Sequence, residues 1–149
     1  MIENVAPALL IYLHVISLSL WFGGLFGYVV IVWPAIMGDA DGRFPRGILA
    51  SIAMRTAPWI YLAMAAALLS LVGIFAVGGV EADRPWLIVY TLLLAVLVGN
   101  NVYGTVVAWP RIMLLPQPSA GKAWFWFRVR MGVSLAVGLL LYSAAIITT

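Results

Sequence analysis

The sequence predicts an all-α integral membrane protein: a four-helix bundle built from a duplicated two-helix hairpin, with both termini on the non-cytoplasmic side. Three observations predict it. Of 149 residues, 65% are hydrophobic and 9% charged, far from the balance of a soluble globule. Apolar runs long enough to cross a hydrocarbon layer of about 30 Å recur four times, at approximately 8–33, 48–77, 86–109 and 123–147. Finally, Trp33-Pro34-Ala35-Ile36-Met37 returns as Trp109-Pro110-Arg111-Ile112-Met113, identical at four of five positions. The runs are continuous rather than alternating, so helices are expected and a barrel is not. Residues 1–149 form a single domain on this reading.

The first run has no Lys or Arg before it, so it lacks the basic start of a signal peptide; it is also too long for one, and is expected to be kept as helix one. The stretch from Ala35 to about Ile48 contains Gly38-Asp39-Ala40-Asp41-Gly42-Arg43 and Pro45, which is turn chemistry. Helices two and three are joined by the short acidic stretch from Gly78 to Pro85, read as a hairpin turn. Pro116, Pro118 and Gly121 place a third loop between Leu114 and Lys122.

Seven of the eight basic residues, Arg43, Arg46, Arg55, Arg111, Lys122, Arg128 and Arg130, lie in or beside the first and third loops. These loops are therefore expected on the cytoplasmic side of a bacterial inner membrane, and the formal charge of +3 reflects topology rather than a nucleic-acid partner. Trp33, Trp109, Trp124 and Trp126 fall at the cytoplasmic ends and Trp86 at the opposite one, as a belt of interfacial aromatics would.

A Trp at an interface followed by a helix-ending Pro is common. Ile and Met need not follow for that reason, so duplication of a helical hairpin is the better account. It gives a parallel repeat about an axis along the membrane normal. In that register Tyr90 corresponds to His14, while Asn100 and Asn101 correspond to Gly24 and Leu25.

His14 is the only histidine and lies within helix one, where an ionisable group is turned to the bundle interior. His14, Ser17, Trp21, Gly24 and Tyr28 fall in one stripe roughly 80° wide. A neutral imidazole there suits an axial bond to haem iron or, alternatively, a copper ion; equally, it can bond a neighbouring helix. With one histidine, a haem would take Met64, Met131, water, an open position or a second subunit's histidine as its other ligand. Asn100 and Asn101 are adjacent amides near mid-membrane, suited to interhelical hydrogen bonds or to a polar wall around a cofactor or quinone headgroup. Arg55, Arg128 and Arg130 sit near cytoplasmic helix starts, where running out to lipid phosphates is the default and clamping haem propionates the alternative. Gly23 and Gly27 form a small-x-x-x-small pair suited to packing.

Zero cysteines exclude disulfides and thiolate-held metal. No phosphate loop, nucleophile elbow or paired histidine is present, and all five acidic residues lie outside the long runs; a proton-coupled transporter is not expected and no catalytic residue is assigned.

Leu13-His14-Val15 followed by Leu20-Trp21-Phe22-Gly23-Gly24-Leu25 resembles the first helix of the copper-resistance protein D group. The stretch from Asn101 to Pro110, Asn-Val-Tyr-Gly-Thr-Val-Val-Ala-Trp-Pro, is similar to a segment in the membrane domain of cytochrome-c-fused urate oxidases. The resemblance covers about a third of the chain. It implies a four-helix unit from a group with haem-binding and copper-handling members, and His14 as a ligand. No Cys-x-x-Cys-His is present, so a fused cytochrome is not expected. Small membrane-bound protoporphyrinogen oxidases share a comparable His and Trp in helix one, but their Asn-Glu-x-Pro segment is missing here.

The leading expectation is thus a small b-type haem-binding or redox-associated protein. His14 would be the metal ligand, and Trp21, Tyr28, Asn100, Asn101 and Arg55 would surround the haem. The alternatives are a noncatalytic accessory subunit of a larger membrane complex and a copper transport or resistance protein. Its surroundings are the lipid bilayer, with a homodimer or larger complex as the expected assembly.

Overall fold

The computed structural model describes residues 5–38, 46–77 and 85–147. The turn chemistry of the first loop and the hairpin of the second lie outside the described residues. Four helices are long and apolar enough to cross a membrane: Val5–Ile36, Arg46–Ala76, Trp86–Leu114 and Ser119–Ser143. Among the described residues there is no strand. Between 28% and 33% of each apolar stretch is buried within the chain. The remainder faces outward and is dominated by side chains such as Leu9, Leu20, Leu62, Leu69, Val96 and Leu140, a surface that only lipid or another apolar helix can solvate.

The first span is α1 (Val5–Phe26), a π-helical turn at Gly27–Val32 and α2 (Trp33–Gly38) in unbroken succession. The second is α3 (Arg46–Ala76). The third repeats the first: α4 (Pro85–Tyr103), a π-helical turn at Gly104–Ala108, and α5 (Trp109–Leu114). The fourth is α6 (Gln117–Ile147). Neither Trp-Pro pair ends its helix as the sequence suggests. A proline withholds one N–H and crowds the carbonyl four residues back. Widening the preceding turn to i→i−5 bonding relieves both, with Trp33 N–H donating to Tyr28 O and Trp109 N–H to Gly104 O. Both spans therefore continue beyond the expected ends at 33 and 109.

The third loop is also shorter than the sequence suggests. Leu115 and Pro116 alone separate α5 from α6, because Pro116 and Pro118 sit at the start of a helix, where a missing N–H is tolerated. Leu115 is extended, as a residue before proline must be (φ −70°, ψ 149°). The Arg46 guanidinium, at the first residue of α3, donates to the Leu115 carbonyl. That bond places the start of the second span beside the turn between the third and fourth.

The first span packs chiefly along α3 and next along α6, while α4 meets α6 over a shorter stretch. The core runs through Leu18, Trp21, Phe22 and Leu25 of α1, Ala67 of α3, Leu94 of α4 and Trp124 of α6. Two glycines permit the closest approaches: a Cβ at Gly138 would stand 2.2 Å from the Phe22 ring, and one at Gly73 would stand 2.9 Å from Leu10. Gly23 and Gly27, the pair singled out in the sequence, have nothing within 4 Å of an added Cβ. Among the described residues they pack against no neighbour.

The tryptophans correct a second expectation. Trp33 and Trp124 are 3% and 2% exposed, with ring centroids 4.6 Å apart, and Trp109 meets Trp124 at 5.1 Å. With Phe127, 5.0 Å from Trp124, they close one end of the bundle from the inside. Indoles so large and apolar gain more from mutual burial than from lying in an interface that Trp126, exposed at the same end, already occupies.

Candidate functional site

His14 lies at the centre of the bundle's main polar cluster. It is one of four buried polar residues described, with Ser17, Ser70 and Asn101. The stripe on α1 turns it inward, against α3 and α4. Its Nδ1 is 2.9 Å from the Ala67 carbonyl and 3.1 Å from Ser70 Oγ; its Nε2 is 2.6 Å from the Tyr90 hydroxyl. A carbonyl only accepts, so Nδ1 carries the proton and donates to Ala67 O, to which Ser70 Oγ also donates at 2.9 Å. Nε2 then accepts from Tyr90 O–H. One neutral imidazole joins three spans, and neither ring nitrogen is left unmatched in an apolar interior.

The other site residues divide. Trp21, two turns along the same stripe, is 1% exposed and stacks on Phe22 at 4.9 Å; its indole N–H meets no acceptor among the described residues. Asn101 is buried on α4, 11 residues beyond Tyr90 or about 16 Å of helix, where its amide donates to Met64 Sδ at 3.3 Å. Asn100 turns away, donating to Ser134 Oγ at 2.5 Å and accepting from Arg130 Nε. Tyr28 is half-buried and stands 14 residues from His14 along the first span, about 20 Å at 1.5 Å per residue. Arg55 is exposed and lies about 18 Å along α3 from Ala67, the residue that holds His14.

Haem and copper can be tested against this arrangement. Haem iron needs the Nε2 lone pair and an open face beside it. Here the Tyr90 hydroxyl takes that lone pair, and Tyr90 is itself 5% exposed. Arg55 and Tyr28 lie too far along their helices to share one porphyrin with His14. The residues do not fit a haem held by His14. For copper, no group of three or more His, Cys, Asp or Glu is assembled among the described residues. Met64 is engaged by Asn101, and Met131 is packed near Gly104.

Sequence reasoning missed four members of the polar framework. Tyr90 had a visible signal, since the repeat register sets it opposite His14. Ser70 had none beyond being polar in an apolar run. Tyr61 and Thr105 bond to each other and tie α3 to the second π-helical turn, where Thr105 also donates back to Asn101 O at 3.0 Å. Two of the three arginines expected to run out to lipid, Arg128 and Arg130, lie over aromatic rings instead, while Arg55 is exposed. The Arg128 guanidinium lies over the Trp33 ring at 5.0 Å and Arg130 over the Tyr103 ring at 4.4 Å.

A comparison with known protein families, characterised proteins and solved structures finds no significant match, so the resemblance in helices one and three stands on those two segments alone.

Proposed function

We propose that this chain is a noncatalytic membrane subunit, a compact four-helix unit that serves a larger membrane assembly. The observation that carries the reading is the commitment of both His14 ring nitrogens to protein partners. The only imidazole of the chain acts as a lock between three spans, in a core whose other buried polar residues, among those described, are Ser17, Ser70 and Asn101. The outward surface supports an associating role. Gly23 and Gly27 offer close approach that nothing among the described residues uses.

The unit is a duplicated hairpin in this proposal. Two observations support that origin: the π-helical turn before Trp-Pro recurs in the first and third spans, and His14 meets Tyr90, its counterpart in the repeat register. Counterpart residues touch only near the axis relating two repeats. The basic loops face the cytoplasm of a bacterial inner membrane and both termini lie opposite, an orientation supported by the arginine distribution.

The test is purification from haem-replete cells in mild detergent, with oxidised and reduced visible spectra and a native gel. The expected protein is colourless and migrates in a stoichiometric assembly with other membrane subunits. A Soret band at one haem per chain, or migration as a lone monomer, would overturn the reading.

A further inference from the structure

Arg130 interrupts the fourth span about 9 Å along α6 from Trp124, the residue at the closed aromatic end of the bundle. Its Nε donates to Asn100 Oδ1, its guanidinium covers the Tyr103 ring, and Asn100 donates in turn to Ser134. The head group is thereby held in the seam between the third and fourth spans instead of extending to the headgroup layer. Its two terminal amino groups make no hydrogen bond among the described residues.

A guanidinium keeps its charge at any depth, and at this depth an opposite charge stabilises it more than a neutral partner does. The acidic residues of the chain are Glu3, Asp39, Asp41, Glu81 and Asp83, and none falls in a span. The spans of a second copy therefore bring no counter-charge either. Lipid phosphates lie outside the aromatic end, and the bond to Asn100 draws the group away from them. A neutral headgroup would leave the charge standing. The occupant that satisfies these conditions is a carboxylate carried into the bilayer on a helix.

The surroundings suit a helix. Val96, Tyr103, Trp126 and Val133, all more than 40% exposed, flank the seam with an apolar outward face. Gly99, on the same side of α4, has nothing within 4 Å of an added Cβ, so a second backbone can come close. We propose that the Asn100–Arg130–Ser134 seam seats the carboxylate of a transmembrane helix from a partner subunit. The planar fork of Arg130 then meets both carboxylate oxygens through its terminal amino groups. This rests on the subunit reading above and names the chemistry of the partner.

The test uses the full chain in nanodiscs of zwitterionic lipid and a leucine-rich transmembrane peptide with a single Glu at the depth of Arg130, or Gln in its place, with association followed by fluorescence transfer. The Glu peptide is expected to bind at least tenfold more tightly than the Gln peptide. R130M removes that preference, R130K retains part of it, and Gly99→Leu, which blocks the seam without removing a polar group, weakens both peptides. Equal binding of the two peptides, or a preference that survives R130M, overturns the proposal. Loss of the preference on adding anionic lipid would assign the seam to a phosphate; a disulfide between two copies carrying Val133→Cys would assign it to a homodimer. Unfolding curves of each variant show that the fold is kept, and Gly99→Leu serves if R130M does not fold. A missing peptide preference with an intact native assembly would refute this inference alone. The reverse pattern would refute the subunit reading alone.

Discussion

Replacing His14 by alanine is expected to destabilise the folded bundle by about 3 kcal/mol, because it strands hydrogen-bonding groups and opens a cavity in the same place. Tyr90 loses the acceptor for its hydroxyl, and the Ala67 carbonyl keeps Ser70 as its one side-chain donor beside its backbone bond within α3. The imidazole volume is not refilled, since the site is walled by α1, α3 and α4. Tyr90→Phe keeps the ring and removes one bond, so it should cost nearer 1 kcal/mol, the usual worth of an interhelical hydrogen bond in a bilayer. A cycle of the two single variants and the double variant, read from reversible unfolding in mixed micelles, should return a coupling of about 1 kcal/mol. If His14→Ala unfolds within 0.5 kcal/mol of wild type, on the order of an ordinary surface substitution, the lock does not hold the bundle together.

The second large effect comes from a glycine. Gly138→Ala places a methyl group 2.2 Å, 2.6 Å and 2.7 Å from three carbons of the Phe22 ring. Phe22 is 2% exposed and stacked on Trp21, which is itself 1% exposed, so the ring has no free direction in which to move. Overpacking of this kind costs about 1–3 kcal/mol, and the gain in helix propensity of about 1 kcal/mol offsets only part of it. The net expectation is a loss of up to about 2 kcal/mol, with separation of α6 from α1. Gly73→Ala meets the flexible end of Leu10 and should be close to neutral. Gly23→Ala meets nothing among the described residues and should leave the isolated unit as stable as before or slightly more so. Unfolding curves of the three alanine variants, compared side by side, check the ranking. Equal effects at positions 138 and 23 would show that Phe22 does not pack against Gly138.

How much of this was legible beforehand follows from which interactions are local. Helix type and span number depend on runs of apolar residues that must satisfy their own backbone in lipid, and those runs can be counted along the chain. His14 could be recognised as inward-facing because a lone ionisable group in such a run has few alternatives. The ends of the helices were less legible. Proline is ordinarily read as a stop, yet a π-helical turn before Trp33-Pro34 and Trp109-Pro110 lets the helix continue at small cost. The tryptophans were misassigned for a related reason: position near a helix end is visible in sequence, but the side a residue faces at that end depends on which helices meet there.

Four apolar helical spans, one histidine within them, a recurring Trp-Pro segment and a lopsided distribution of arginines can all be read along the chain. Each is a property of composition, spacing or periodicity. Which partners those residues meet depends on how the helices pack, because partner choice for a side chain is a long-range event. His14 finds Tyr90 76 positions away, and Phe22 finds Gly138 across the bundle. Adjacent residues Asn100 and Asn101 point to different neighbours, since successive side chains on a helix diverge by about 100°. One turns to Met64 in the core and the other to Arg130 in the outer seam, so a single pair of letters divides between an internal contact and an outward-facing charge.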